Sequence, residues 1–302
     1  MQSPSFSTSR PASAGLLAAL LLSGCASNLA PVRSVGEQTQ KLSAAAHPML
    51  AGAADSCMAK AMRQQLIMAT RFDAQGSELA ARQRCILEEE MSPRLVALNE
   101  VLIAYGKVLV DTADGKVSSY KEQFKGLGDA LGGLEQPGAG APVLDAGQLS
   151  VVMKLAQYLS TLATQRMQKA SLRELLAHQQ AVDITSNALK NYALNIHLPN
   201  LREEAREVDQ LRGAVGAMSG AEPLAANYVG THLYQERKLL AQRQAAATAY
   251  AQAIDAMQQS LAGLASHLDH PQDPQWQAQV DAFAQRVAVM EREAALPSPA
   301  RW

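Results

Sequence analysis

The sequence predicts an all-α protein, an elongated antiparallel helical bundle with coiled-coil-like packing. Three observations lead there. The chain of 302 residues is 48% hydrophobic but only 4% aromatic, and beyond about residue 34 it is dominated by Ala, Leu, Gln, Glu, Lys, Arg and Met, the good helix formers. No stretch alternates β-branched or aromatic residues with polar ones as a half-buried strand would. Two apolar seams recur at helical spacing: Leu95, Leu98, Leu102, Tyr105 and Leu109, and later Leu240, Ala247, Tyr250, Ile254, Met257, Leu261, Leu264 and Leu268, with Arg243 as the one polar intrusion. A narrow apolar stripe on a long helix is covered most simply by another such stripe.

Breakers then divide the chain. A first helix is expected over Val35–Phe72, with His47-Pro48 a point of interruption. A second runs over Ser77–Val110, where Pro93 removes an internal hydrogen bond and should kink it. Asp114-Gly115 reads as a turn, Val117–Leu131 as a shorter helix, and the Gly- and Pro-rich residues 132–142 as a loop and possible subdomain break. Asp145 is placed to cap a helix carrying Leu149, Val152, Leu155, Leu159 and Leu162 on one side. Helix continues through Leu194, breaks near Pro199 and resumes to Met218. A long helix is expected over Pro223–Leu268 and a last one over Gln275–Ala295, followed by a tail, 297–302. The helical domain is thus drawn as 35–296. No fixed-period repeat points to a solenoid.

The leader carries the sharpest motif. Arg10 is the only charge before the apolar run Gly15–Leu22, which is too short to span a bilayer as a mature helix and suits the core of a secretory signal. The tetrad Leu22-Ser23-Gly24-Cys25 that follows resembles the lipobox of bacterial lipoproteins; an uncleaved leader with a chance Cys is the bland alternative. The resemblance covers the leader alone. It implies that residues 1–24 are removed and that Cys25 becomes the acylated first residue, with 25–34 a flexible tether. Ala26 stands where that family uses Asp for inner-membrane retention, so the expected address is the outer membrane, facing the periplasm, with the lipid bilayer contacted through acylated Cys25. Several acyl chains hold a protein stably, each buried methylene adding roughly 0.8 kcal/mol.

With Cys25 lipidated, Cys57 and Cys85 remain, an even number in an oxidising compartment. Their midpoint falls beside the turn residues Phe72–Gly76, so two antiparallel helices leaving that turn would bring both to one height. A disulfide is expected; buried free thiols are the competing reading.

The chemistry-bearing patterns are sparse. Formal net charge is -1, which speaks against a phosphate-neutralising nucleic-acid binder. His267 and His270 sit one turn apart at a helix end, Glu174 and His178 read as a surface pair, and neither completes a metal-ligand set. The Gly126–Gly132 stretch misses the dinucleotide fingerprint, and Ser118 with Lys121 lacks the companion motifs of penicillin-binding enzymes. Glu88-Glu89-Glu90 and the run Arg202–Asp209 read as solvated charged faces. No cofactor or metal is expected. Tyr228, Tyr234 and Trp276 are candidate partner anchors, since Tyr and Trp are enriched in interface cores, against the blander reading that they fill the bundle's end layers. The functional expectation is a non-enzymatic lipoprotein scaffold that binds another envelope protein. An immunity-type lipoprotein that neutralises a toxin, and a carrier or sensor of a small apolar ligand, stand beside it.

Overall fold

The computed structural model describes residues 29–68, 73–116, 144–162 and 169–295. The expected helix 117–131, the 132–142 loop, Cys25 and the tail lie outside them, as do the Ser118/Lys121 and Gly126–Gly132 motifs. The described residues are helical throughout and contain no strand, so the protein is all-α. Its helices are α1 (Ala30–Ala51), α2 (Ala53–Met68), α3 (Ala74–Arg84), α4 (Ile86–Ala113), α5 (Ala146–Thr161), α6 (Lys169–Leu176), α7 (Gln179–Tyr192), α8 (Leu198–Met218), α9 (Pro223–His267) and α10 (Pro274–Ala294), with a π-helical segment, Ala193–His197, between α7 and α8.

Every residue of both predicted seams is buried. The α4 seam packs against α1, and the two helices keep a heptad register: Cβ of an alanine at Gly36 would stand 2.5 Å from Gly106 O, Asn99 donates to Ser43 O at 2.9 Å, and Ser92 donates to Leu50 O at 2.9 Å. Contacts that recur every seven residues on both partners are the signature of left-handed supercoiling. Apart from Leu50, small and polar residues occupy this line and let the two backbones approach.

The breaks fall beside the expected places. Pro48 and Pro93 are both accommodated inside helices. The interruption of the first helix comes at Gly52, whose N–H still reaches Pro48 O at 3.0 Å, and the hydroxyl of Ser92 is shared between the carbonyls of Leu50 and Ala51. The expected second helix is divided at Cys85, between α3 and α4, while Pro93, where a kink is expected, lies inside α4. Near Pro199, which has no N–H to return to Asn195, the ladder slips instead of breaking: Leu198 N–H donates to Ala193 O, five residues back. Asp145 makes a full capping box with Gln148, and Gly115 adopts φ +64° in the expected turn.

The tether expectation needs correction. Helix begins at Ala30, with Pro31 in the first turn where its missing N–H costs nothing, and Val32 is fully buried. Residues 30–34 therefore belong to the bundle. One large apolar core takes side chains from α1, α4, α5, α6, α7, α9 and α10, on both sides of the 132–142 stretch. Two smaller clusters lie apart from it: Leu201, Ala205, Val208, Leu233 and Leu240 between α8 and α9, and Ala61, Ala81 and Cys85 between α2 and α3.

The path of α1 and α2 along α9 orients the molecule. Met49 faces the same cleft as Arg243 and Ala246, whereas Arg63 pairs with Glu236, so α1 and α2 run antiparallel to α9. Ala30 consequently lies toward the C-terminal end of α9, and the α8–α9 turn is at the other end. With its 45 residues, α9 is about 65 Å long at 1.5 Å per residue. Among the described residues no helix is long and apolar enough to cross a membrane.

Candidate partner-binding surface

Two helical hairpins form the end of the molecule opposite Ala30. The first, α2–α3, is clamped by Cys57 and Cys85, whose sulfurs lie at disulfide distance, 1.99 Å, with Cα atoms 5.8 Å apart. The Glu88 carboxylate comes within 4.8 Å of both sulfurs, but a disulfide withholds them from metal ligation. Glu89 and Glu90 are exposed as the sequence suggests, while Glu88 is half-buried and one of its oxygens has no hydrogen-bond partner among the described residues.

The second hairpin, α8–α9, is fixed to the first by charges. Arg63 of α2 is nearly buried and binds Glu204 of α8 and Glu236 of α9, with Glu207 Oε2 3.8 Å from its Nε. Ser56 donates to Glu204, Lys60 pairs with Glu203, and Gln64 donates to Glu207 at 2.8 Å. Glu204 is 1% exposed, so its charge has left water and depends on these partners. The reading of Arg202–Asp209 as a solvated face is thereby corrected. Arg202, Arg206 and Asp209 are exposed, but Glu204 and Glu207 turn inward on the same side as Leu201, Ala205 and Val208. Sequence reasoning missed Arg63 because its partners stand some 140 to 173 positions away. Lys60 and Arg63, one turn apart on a helix with a single acidic residue, were the available hint.

Beyond this network the α8–α9 hairpin continues as a bare two-helix tip. From Gly213 to Gln235 the sequence holds one charge that is not His, Glu222. Leu224 is 84% exposed and Tyr228 75%, and Met218, Val229 and Tyr234 are exposed beside them. The guanidinium of Arg212 lies 6.0 Å from the Tyr234 ring centroid, within cation–π range. A Cβ added at Gly213, Gly216 or Gly230 would meet nothing within 4 Å. These glycines serve no close packing inside the chain, although each weakens its helix by about 1 kcal/mol relative to alanine. On the neighbouring α2–α3 hairpin Leu66, Ile67, Met68 and Leu79 are exposed as well, as are Ile86 and Leu87 in the first turn of α4. Among the described residues, Ile196 is the only other exposed large apolar side chain. Single exposed apolar residues are ordinary; their concentration toward one end is not.

The three aromatic anchor candidates part company here. Tyr228 and Tyr234 lie on the exposed tip, but Trp276 does not: it is fully buried, its indole N–H donates to Ser260 O at 3.1 Å, and its ring fills the space left by Gly263. It joins α10 to α9 and is withdrawn as a partner contact.

Several other titratable groups are structural or solvated. His267 Nδ1 contacts Gly263 O at 3.0 Å and its Nε2 stands 3.8 Å from Asp273, while His270 is exposed. The His178 ring leans on Tyr158 at 4.5 Å. Burial drives the Tyr105, Tyr192 and Tyr250 hydroxyls far above their ordinary range, and it raises the Asp183 carboxyl.

No known protein family, curated protein or solved structure matches the chain.

Proposed function

We propose that the chain is a non-enzymatic lipoprotein scaffold of the bacterial envelope. In this reading it is anchored through acylated Cys25, lies in the outer membrane facing the periplasm, and binds another envelope protein with the tip of the α8–α9 hairpin. The observation that carries the proposal is the gathering of exposed apolar side chains at the end opposite Ala30. An anchor a few residues before Ala30 would hold one end of the rod at the bilayer and present the tip on the order of 65 Å away. The tip residues are Met218, Leu224, Tyr228, Val229 and Tyr234, and the exposed glycines let a partner approach the backbone. With a single carboxylate in the tip, the matching surface on the partner is apolar and binding is insensitive to salt. The disulfide and the Arg63 network keep the hairpins rigid, which lowers the ordering cost of association.

Affinity capture from intact envelopes tests this with three proteins: wild type, Cys25→Ala, and a Leu224→Glu/Tyr228→Glu tip variant. One partner should be recovered with the wild type and lost with the tip variant, whose thermal unfolding should match wild type. Equal recovery by the tip variant would remove the assignment. A fatty-acid probe should label the wild type and spare Cys25→Ala; labelling of both would remove the anchor.

A further inference from the structure

A tip-binding scaffold leaves unexplained a cleft in the body, where α1, the π-helical segment, α9 and α10 meet. Its walls are apolar, with Pro48 and Met49 from α1, Ala246 from α9 and Met290 from α10. Two nitrogen-bearing side chains, Arg243 and His197, also line it, as does Glu293, whose carboxylate lies 3.5 Å from Arg292 Nε. The space is about 50 Å³ and opens to solvent, room for a few water-sized groups.

Arg243 is anomalous. It interrupts the longest apolar seam in the protein, is partly buried, and makes no hydrogen bond or ion pair among the described residues. Arg63, the buried arginine among the described residues, is surrounded by carboxylates. The nitrogens of Arg243 reach solvent, so its guanidinium is open to an incoming anion. His197 is 3% exposed and stacks on Tyr192 at 5.9 Å between ring centroids, yet neither of its ring nitrogens has a hydrogen-bond partner among the described residues. Burial, then the charge of Arg243, pushes its pKa down to about 4, so it stays neutral near pH 7 with one N–H to donate. The slipped ladder before Pro199 ends at His197 and fixes where that ring stands; π-segments often mark such functional positions.

We propose that this cleft binds a monocarboxylate with a small apolar body, its carboxylate accepting from the Arg243 guanidinium and a His197 N–H and its apolar part lying on Met49 and Met290. A planar carboxylate matches the guanidinium fork, and thioether walls adapt to irregular apolar shapes. Glu293 at the same cleft supplies one negative charge already, which disfavours a dianion such as phosphate. The enclosed volume admits the head group and first carbons, and a longer body extends into the open mouth.

Isothermal titration of the soluble full mature chain, carrying Cys25→Ala, decides it. The probes are octanoate, benzoate, neutral octanamide and inorganic phosphate. Octanoate or benzoate should bind at one equivalent, at least about tenfold more tightly than octanamide, with no heat from phosphate. Arg243→Met, close in volume, should weaken carboxylate binding roughly tenfold or more. Ala294→Trp, which fills the cleft from the last turn of α10 and leaves Arg243 in place, should abolish it while the unfolding temperature holds. The Trp variant keeps the question answerable if Arg243→Met does not fold. Absence of carboxylate binding up to roughly 10 mM, equal binding of octanamide, or unchanged binding by Ala294→Trp would each overturn the site.

Discussion

Arg63→Met takes away the guanidinium shared by Glu204, Glu207 and Glu236 while keeping an apolar side chain of similar reach. Glu204, 1% exposed, would keep only the Ser56 hydroxyl, and Glu207 only the Gln64 amide. Breaking a buried ion pair from one side costs about 3–5 kcal/mol, because the remaining charge stays out of water. Urea unfolding with the disulfide intact should report that loss as a midpoint lower by roughly 1–2 M, for a slope of about 2–3 kcal/mol/M. Hydrogen exchange should place it: amides of α2, α3, α8 and the first half of α9 lose protection, while those of the α1–α4 seam keep theirs. Arg63→Lys, which retains the charge and not the fork, should fall between. Adding Glu204→Leu to Arg63→Met should recover much of the loss, since an apolar pair replaces an orphaned charge. A midpoint within about 0.5 M of wild type, or protection lost evenly over the whole bundle, would refute the claim that this network joins the two hairpins.

Glycine substitutions should diverge in sign. Gly36→Ala, whose Cβ would meet Gly106 O at 2.5 Å, should destabilise by about 1–3 kcal/mol, whereas Gly213→Ala and Gly216→Ala should each stabilise by about 0.5–1 kcal/mol; thermal melts of the three variants check this, and the two tip variants should weaken partner capture. Trp276→Phe should lower stability by about 1–2 kcal/mol through the lost bond to Ser260 O and leave partner capture unchanged; reduced capture would return Trp276 to the interface. His197 has its folded pKa depressed from 6.5 to about 4, so the unfolded chain binds the extra proton. Stability from this group is complete above pH 6.5 and is lost as pH falls toward 4, with about 2 kcal/mol of the loss between pH 6.5 and 5. His197→Leu should flatten that part of the stability profile, and a parallel profile would contradict the buried, neutral imidazole. Intact mass after alkylation without reductant should show Cys57 and Cys85 unmodified.

Local periodicity made the long elements legible. The seam from Leu240 to Leu268 and the bounds of the last two helices could be read because the apolar stripe and the flanking prolines are local signals. The same local rules overstated the internal prolines. Pro48 lies inside a helix and the interruption falls at Gly52, while the second helix, unbroken at Pro93, is divided at Cys85, where the α2–α3 hairpin ends. The charged run of α8 was misread because amphipathicity counts every Glu as solvent-facing, and only Arg63, supplied by a helix far away in sequence, makes an inward Glu204 tolerable. Trp276 illustrates the opposite error: an aromatic residue near a helix start looks available until Gly263 is seen to leave a socket for it. The heptad line of Gly36, Ser43 and Leu50 against Gly106, Asn99 and Ser92 was hidden because small residues carry no hydropathy signal. The exposed tip was half visible, as two tyrosines in a charge-poor stretch; its separation from the N-terminal end emerged only with the course of α1 and α2 along α9.

Site-directed photocrosslinking in intact envelopes bears most directly on the tethered rod with an apolar working end. A photoreactive residue at Leu224 or Tyr228 should give one discrete adduct of the same mass, abolished by Tyr234→Glu in the same chain, and the same probe at exposed Glu291 on α10 should give none. Adducts from Glu291 with none from the tip, or a diffuse ladder from every position, would contradict it.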